Sequence, residues 1–271
     1  MLFAAAAGFA LAGYGVPRFG ATTYEPEPRG AGNLRVVTWN VGGAKRGGGE
    51  TLNDQWLEHV AGVLVQLDAD LVLLQELASA DQARRLVGQI GDRFQLAVRD
   101  QSGRRLAVLA QRGPVEVLSP RRAPAQVMVV HYEQIGQPPV IVANVHAEAY
   151  SARRRNRTLG RAAGMLRRFA RTNAMILAGD FNLDVDLDKR RDLFTNNEHP
   201  DVEAYNVVAM ELTDATVGTG STAEPDRRLD YIFVSPDHFD VVRSGPWKGR
   251  RVGNMDHDPV VADLRRRLPV R

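Results

Sequence analysis

The sequence predicts an α/β domain in which two packed β-sheets are covered by helices. Short apolar segments rich in β-branched residues, as in buried strands, outnumber the segments with a helical apolar period. Nothing in the middle of the 271 residues has the composition of a linker. The strands and helices are therefore expected to form one layered domain behind an N-terminal extension.

The extension comprises residues 1–32, and the domain is placed at residues 33–271. Met1 to Val16 is apolar enough for the core of an export signal or the end of a membrane helix, although it is short for a span and lacks a basic start. The alternative is an alanine-rich helix packed on the domain. Pro17 to Gly32 is typical of a flexible tether. Export, or membrane anchoring with the domain outside the cytoplasm, is expected, with a cytoplasmic location as the alternative.

The first predicted strand, Leu34 to Val41, is rich in β-branched residues and stops at a glycine cluster. Thr51 and Asp54 are the predicted capping pair of the following helix, whose apolar residues recur at helical spacing. Asp70 to Leu77 is a second apolar strand, and it ends beside a carboxylate. The remaining predicted strands are Phe94 to Val98, Leu106 to Ala110, Val127 to His131, Val140 to His146, Ala174 to Ala178, Leu229 to Val234 and Pro259 to Leu264.

A second helix is predicted from Ala152 to Arg171, because apolar residues occupy one face and arginines the other. This pattern is typical of a surface helix that covers a sheet. The cluster from Arg153 to Arg157 could contact phosphates, but a solvated helix face is the more frequent meaning of such a run.

Composition restricts the chemistry that the chain can perform. The absence of cysteine excludes disulfides, thiolate metal sites and cysteine nucleophiles, which leaves oxygen and imidazole ligands for a metal. With 44% hydrophobic residues the chain can bury one large core or two small ones. The net charge of +3 is compatible with binding polyanions, but it does not select a substrate.

Polar side chains stand at or just beyond the ends of the predicted strands. In layered α/β domains the strand ends and their loops form the crevice in which ligands bind, so these side chains are expected to converge on one pocket. Carboxylates, amides and imidazoles are suitable ligands for a hard cation such as Mg²⁺ and its water shell. The residues are Asn40, Glu76, His146, Asp180, Asn182, Asp230, Asp256 and His257.

Each of these residues also has a structural interpretation. Asn40, Asp180 and Asn182 could stabilise turns after strands. Glu76 could cap the next helix, and His146 could be a hydrogen-bonded histidine at a strand end. Asp230 lies within an apolar strand, where an unpaired carboxylate would be costly, so it needs a partner under either interpretation.

The motifs TWN, LLQE, NVH, GDFN, RLDYIFV and MDHDPV follow one another over about Leu34 to Leu264. In this order the set resembles the DNase I-like endonuclease/exonuclease/phosphatase superfamily. The resemblance implies a four-layer α/β/β/α sandwich of two mixed β-sheets. It also implies that residues 33–271 form a catalytic domain for the hydrolysis of phosphate esters.

The resemblance assigns roles to the metal-binding and water-activating residues. Glu76, with Asn40 and Asp256, would hold Mg²⁺ or Mn²⁺ against a phosphate oxygen. Asp180, beside Asn182, would orient the attacking water and accept its proton.

The two histidines of the set would contact the phosphoryl group. His257, oriented by Asp230, would hydrogen-bond a phosphoryl oxygen. His146 would contact another phosphate oxygen or assist protonation of the leaving group. Substrate phosphate is thus expected to meet His146, Asn182 and His257.

Three functions stay open at this point. A Mg²⁺-dependent nuclease is favoured by the net charge and by Arg104, Arg105 and the Arg153 to Arg157 run. A phosphatase or phosphodiesterase acting on a lipid head group or pyrophosphate at the membrane face is second, supported by the N-terminal apolar segment. A binding module that has lost catalysis is third. The expected partner is a phosphate-ester substrate, which could be a nucleic acid. Association with a membrane through the N-terminal segment is the other expected contact. The protein is predicted to be a monomer without a protein partner.

Overall fold

The computed structural model describes residues 23–30, 32–44, 49–99, 105–119, 123–134, 136–170, 172–185 and 198–267. In chain order its helices and strands are β1 (Asn33–Asn40), α1 (Asp54–Leu67), β2 (Leu71–Leu77), α2 (Ala80–Ile90), β3 (Phe94–Arg99), β4 (Arg105–Gln111), β5 (Val115–Val117), β6 (Val127–Tyr132), β7 (Val140–His146), α3 (Ala152–Arg167), β8 (Ala174–Asp180), α4 (Glu198–Ala209), β9 (Thr213–Asp214), β10 (Asp230–Val234), β11 (Phe239–Pro246) and β12 (Val260–Arg266).

The strands form two six-stranded mixed sheets. The first sheet has the order β11-β12-β1-β2-β4-β3, and the second has the order β5-β6-β7-β8-β10-β9. In the first sheet β1 runs parallel to β2 and antiparallel to β12. In the second sheet β8 runs parallel to β7 and antiparallel to β10. The predicted mixture of parallel and antiparallel strands is therefore confirmed in both sheets.

Three apolar clusters separate four layers. One cluster lies between the sheets and contains Val36, Val142, Ile176 and Ile232. A second packs α1 and α2 on the outer face of the first sheet, and a third packs α3 and α4 on the outer face of the second. Because side chains alternate between the faces of a strand, a strand covered on both sides needs apolar residues at most positions of both faces. The predicted four-layer α/β/β/α sandwich is confirmed.

Every strand predicted from the sequence is present, with ends that differ by a few residues. Three strands and two helices were not predicted. β5 and β9 have only three and two residues, too few for a recognisable pattern. In β11 a register shift between Val241 and Arg243 interrupts the alternation of buried and exposed positions, and the strand lies at the edge of its sheet. The missed helices are α2 and α4.

The helix ends differ in detail from the prediction. The predicted Thr51 and Asp54 capping pair is wrong, because the side chain of Asn53 accepts the hydrogen bond from the backbone N–H of Trp56. The hydroxyl of Thr51 donates instead to the carbonyl of Gly42. Helix α2 is capped by Ser79, so Glu76 is not a helix cap.

The described part of the predicted tether, residues 23–30, is packed on the first sheet. The backbone N–H of Tyr24 donates to the carbonyl of Pro246 at 2.9 Å. The Tyr24 side chain is buried, and its hydroxyl donates to Asp263 at 3.1 Å. Arg29 forms an ion pair with buried Asp70. These contacts attach the segment to the domain rather than leaving it free. The apolar segment from Met1 to Val16 lies outside the described residues.

None of the helices in the described ranges has both the length and the apolar composition that crossing a bilayer requires.

Candidate active site

Three polar side chains form a row across the second sheet. Strand pairing places His146 of β7 opposite Asp180 of β8, and Asp180 opposite Asp230 of β10. Alternation along β8 and β10 directs Asp180 and Asp230 to the same side as Ile176 and Ile232, which belong to the cluster between the sheets. The row therefore faces the first sheet at one end of the sandwich.

The first sheet contributes Asn40, the last residue of β1. Its side-chain amide donates to Oδ2 of Asp180 at 3.0 Å, and its Oδ1 accepts from the backbone N–H of Gly42 at 3.0 Å. Asn40 is 3% exposed, so this hydrogen bond joins the two sheets within a buried environment.

Glu76 reaches the same place through an irregularity in β2. The register of β2 against β4 shifts between Leu74 and Leu77, and Glu76 has a φ of +59°. A positive φ is costly for a residue with a side chain and often marks a functional position. The irregularity brings a carboxylate oxygen of Glu76 to 3.4 Å from Nε2 of His146, and the Glu76 side chain is 25% exposed.

Gly179 is required where β7 and β8 approach each other. Its φ is +147°, and a Cβ atom would lie 1.9 Å from the carbonyl oxygen of Val145. No side chain fits there unless the backbone moves. The residue thereby fixes the positions of its neighbour Asp180 and of His146, which follows Val145.

Gly179→Ala is expected to destabilise the fold by about 3 kcal/mol or more, because it combines a backbone clash with a disfavoured φ. Chemical denaturation monitored by circular dichroism measures the change. Gly164→Ala in α3 is the control, because nothing lies within 4 Å of the added Cβ and alanine favours a helix by about 1 kcal/mol. Equal unfolding free energies for the two variants would contradict this role of Gly179.

Asp180 is the centre of the cluster. Its Oδ2 lies 3.5 Å from Nε2 of His146 and 3.8 Å from Nε2 of His257, and its Oδ1 accepts from the backbone N–H of Asn182 at 2.9 Å. Burial raises the pKa of Asp180 above its ordinary value, with a smaller contribution from Asp230, against the opposing effects of His257, His146 and Asn40. A carboxylate with a raised pKa is a stronger base than an exposed one.

Asn182 adopts a φ of +51°, the left-handed conformation that asparagine tolerates better than most residues. Its side-chain amide donates to the carbonyl of Ala147 at 3.0 Å, directly after β7. The turn after β8 is thereby attached to the loop that follows His146.

His257 and Asp230 form a buried carboxylate and imidazole pair. Nδ1 of His257 donates to Oδ2 of Asp230 at 2.8 Å. His257 is thus the partner that the sequence predicted Asp230 to need. Thr222 also donates its hydroxyl to Oδ2 of Asp230, at 2.7 Å. The carbonyl of His257 accepts from Nε1 of Trp39 at 3.0 Å. Asp230 therefore orients the imidazole, and Trp39 holds the backbone of the same residue.

The environment of His257 favours its protonated form. Burial alone would lower its pKa, but the charges of Asp230 and Asp180 and the hydrogen bond to Asp230 outweigh burial and raise the pKa to about 10. The imidazolium is thus present at neutral pH, with Nε2 directed toward Asp180.

The raised pKa of His257 predicts a loss of stability at alkaline pH. A folded-state pKa above the unfolded value of about 6.5 contributes stability that is complete below pH 6.5 and is lost as the pH rises through about 10. In metal-free protein, Tm should fall more between pH 7 and pH 10 in the wild type than in His257→Gln, by about 3 °C or more. Thermal scans at several pH values measure both curves. Parallel curves would exclude the stabilising imidazolium.

Asp256 is the most exposed member of the cluster. Its side chain is 65% exposed, and Oδ1 lies 3.7 Å from Nε2 of His257. The structure thus brings together all eight residues predicted from the sequence, through contacts of 4 Å or less from each to another member or to an adjoining loop.

The residues suited to holding a divalent cation are the partly exposed carboxylates. Glu76 and Asp256 offer partly exposed oxygens beside buried Asp180 and Asn40, a donor set that suits a hard cation, and the space that these four residues border is referred to as the cleft. Asp180, Asp230 and His257 also come within 4.8 Å of one another. The hydrogen bond of His257 to Asp230 and its raised pKa keep its imidazole protonated, so this second group fits a metal less well.

Sequence reasoning missed three polar residues that support the site. Thr222 holds Asp230 from a loop without a recognisable motif. Gln75 and Asn144 lie between the sheets, and both are fully buried. These two could have been found from the sequence, because each is a polar residue inside an otherwise apolar strand.

Comparison with known families gives one match. The model of the "Endonuclease/Exonuclease/phosphatase family" matches residues 37–250, most of the described chain. No curated protein matches the chain in sequence.

Solved structures with the same fold are numerous. The human Nocturnin catalytic domain with bound sulfate is 17% identical, with a TM-score of 0.62, covering 87% of this chain and 94% of that one. Truncated Caenorhabditis elegans TDP2 is 17% identical, with a TM-score of 0.61 and coverages of 86% and 97%. A Bacteroides thetaiotaomicron mannosyl-6-phosphatase is 19% identical, with a TM-score of 0.60 and coverages of 85% and 99%. At these identities the similarity concerns the fold.

Proposed function

The chain belongs to the endonuclease/exonuclease/phosphatase family, and from that premise we propose that it is a divalent-metal-dependent hydrolase of phosphate esters. The observation that carries the proposal is the position of Asp180. This buried carboxylate has a raised pKa and lies within 4 Å of two imidazoles. Such a group suits the activation of a water molecule beside a bound phosphoryl group.

Glu76, Asp256 and Asn40 would hold the metal, Mg²⁺ or Mn²⁺. When bound, the metal supplies Lewis-acid polarisation of the phosphoryl group and offsets the negative charge of the transition state. Glu76 is the principal ligand in this proposal, because the irregularity in β2 directs its carboxylate into the cleft. Asn40 would bind the metal through its amide oxygen. In the structure this oxygen accepts a hydrogen bond from the backbone N–H of Gly42, and the amide nitrogen donates to Asp180, so the oxygen would have to be shared with the metal or leave Gly42.

Asp180 would accept the proton of the attacking water. Asn40 and the backbone of Asn182 hold one oxygen of this carboxylate each, so its direction is fixed before a substrate arrives. Asn182 would complete the orientation of the water or contact the phosphate.

His257 and His146 would contact the phosphoryl oxygens. The imidazolium of His257, held by Asp230, can donate a hydrogen bond from Nε2 to an oxygen that gains negative charge. His146 presents Nε2 between Glu76 and Asp180, where it can bind a second oxygen or protonate the leaving group.

Hydrolysis of p-nitrophenyl phosphate and of its bis-ester, with Mg²⁺ and with a chelator, tests this function. We expect release of p-nitrophenol that requires the metal and is lost in Asp180→Asn. Activity that survives chelation, or that is equal in the variant, would refute the proposal.

For the natural substrate we propose a nucleic acid, cleaved at the phosphodiester backbone. Arg153, Arg154 and Arg157 are exposed at the start of α3, shortly after His146, and support phosphate binding beside the cleft. Arg155 does not belong to this set, because it is buried against Asp201.

Of the other arginines that favoured a nuclease, Arg105 donates to the carbonyl of Ala78. Arg104 lies outside the described residues. Arg105 and Arg155 are therefore engaged within the domain, and the nucleic-acid proposal rests on Arg153, Arg154 and Arg157.

A second candidate is a hydrolase of lipid head groups or pyrophosphate at a membrane face, and the attachment of the N-terminal segment favours it. Tyr24 is hydrogen-bonded to Pro246, Pro246 pairs with Val260, and Val260 pairs with Thr38. Thr38 precedes Asn40 by two residues, or about 7 Å along the strand. The segment thus joins the domain near the end that carries the cleft.

The chain from Val16 to Tyr24 can span at most about 30 Å when fully extended. If Met1 to Val16 enters a membrane, Tyr24 stays within this reach of the lipid surface, and the end of the domain that carries the site lies near Tyr24. Membrane anchoring is itself part of this proposal.

One comparison separates the two substrates. Full-length protein with Mg²⁺ is incubated with supercoiled plasmid and with vesicles that contain anionic phospholipid, and nicking and head-group or phosphate release are measured. A nuclease would nick plasmid in a salt-sensitive manner and lose much of this activity when Arg153, Arg154 and Arg157 are replaced by alanine. Arg168→Ala, at the opposite end of α3, is the matched control. Release from vesicles with intact plasmid would instead favour the membrane substrate.

A further inference from the structure

A buried polar layer lies directly beneath the candidate site, between the two sheets. It consists of Thr38, Gln75 and Asn144, and each side chain is fully buried. Thr38 precedes Asn40 by two residues on β1, and Asn144 precedes His146 by two residues on β7, so each pair shares one face of its strand. Gln75 directly precedes Glu76.

Hydrogen bonds connect this layer across the gap between the sheets. Nε2 of Gln75 donates to Oγ1 of Thr38 at 3.0 Å and to Oδ1 of Asn144 at 2.8 Å. Nδ2 of Asn144 donates to the carbonyls of Leu74 and Ala107, both at 2.9 Å. Asn144 belongs to the second sheet, and all these partners belong to the first.

The contacts converge on the irregularity that directs Glu76 into the cleft. Leu74 and Ala107 are the last regular pair of β2 and β4 before the register shifts. An asparagine amide carries two hydrogens, so Asn144 can donate one to each of these carbonyls. Both strands are thereby tied, at the point where the irregularity begins, to the strand that carries His146.

Stability alone does not explain these residues. Their neighbours between the sheets are apolar, and a buried polar group costs free energy unless it is fully hydrogen-bonded. Oε1 of Gln75 is buried without a hydrogen-bond partner. An apolar side chain of similar size would avoid this cost, which indicates that the layer has another role.

We propose that Gln75 and Asn144 are positioning residues that fix the carboxylate of Glu76 against His146 and Asp180. They act through the backbone of β2 and do not touch the substrate. The inference rests on the proposed function, because the position of Glu76 matters most if this carboxylate holds the metal.

The test uses Gln75→Met in the full chain, a change that keeps the length of the side chain and removes its polar atoms. Methionine removes the unpartnered Oε1 but also takes the donor away from the buried Oδ1 of Asn144, so the two effects on stability oppose each other and the fold should persist. Mn²⁺ binding to metal-free protein, measured by calorimetry, should weaken about tenfold or more, as for other supports of metal ligands. A merely structural glutamine would leave the Kd for Mn²⁺ unchanged, whatever its effect on Tm.

Asn144→Ala provides a second variant, with Val142→Ala as its matched control. Val142 lies two residues earlier on the same face of β7 and is equally buried. Both changes leave a cavity between the sheets, but only Asn144→Ala should weaken Mn²⁺ binding about tenfold. If either folded variant, Gln75→Met or Asn144→Ala, binds Mn²⁺ like the wild type, the positioning role is wrong. If the wild type itself binds no Mn²⁺, the proposed function fails instead.

Discussion

Asp180→Asn is expected to lower kcat by on the order of 10²-fold or more, with little change in KM, because the variant loses the group that accepts a proton from water. Asparagine has nearly the same volume, and Asp180 is buried among Asn40, His146 and His257, so the fold should persist. Steady-state kinetics with a chromogenic phosphodiester in the presence of Mg²⁺ measure both constants.

The control for this variant is Asp237→Asn. Asp237 is exposed in the turn after β10, at the opposite end of that strand from Asp230, and its replacement should leave kcat unchanged. A kcat for Asp180→Asn within about twofold of the wild type would remove Asp180 from the proton-accepting role.

Glu76→Gln is expected to raise the Mg²⁺ concentration for half-maximal activity by about tenfold or more, because a neutral amide replaces a charged ligand oxygen. The wild type should lose activity completely in a chelator and regain it when Mg²⁺ is added. Activity assays over a range of Mg²⁺ concentrations compare the two proteins.

Glu58→Gln tests whether any loss of negative charge has this effect. Glu58 is exposed on α1, the helix packed on the outer face of the first sheet, and its replacement should leave the Mg²⁺ requirement unaltered. An identical Mg²⁺ requirement in Glu76→Gln and the wild type would show that Glu76 does not hold the metal.

The arrangement of the site could be predicted from the sequence because its residues mark strand ends. Asn40, His146 and Asp180 each end a strand whose other residues are mostly apolar, and side-chain alternation then directs all three into the gap between the sheets. The partner of Asp230 could be inferred because a carboxylate in an apolar strand must be compensated.

Other features depend on contacts between distant segments and could not be predicted. Strand alternation alone would direct Glu76 away from the gap, and only the register shift in β2 reverses this. Thr222 supports Asp230 through a loop whose conformation leaves no pattern in the sequence. The cap of α1 was misassigned because Thr51, Asn53 and Asp54 all suit that position, and the chain path selects Asn53.

The position of β12 determines when the first sheet and the candidate site can form during synthesis. Although it is the last of the described strands to be synthesised, it lies inside the first sheet, between β11 and β1. Until Val260 to Arg266 emerges, β1 has an open edge able to pair with other chains, and the loop with His257 has no strand to secure it. A nascent chain whose second sheet has already emerged from the ribosome therefore still lacks a complete candidate site. We expect premature termination before Val260 to yield an aggregation-prone, inactive product.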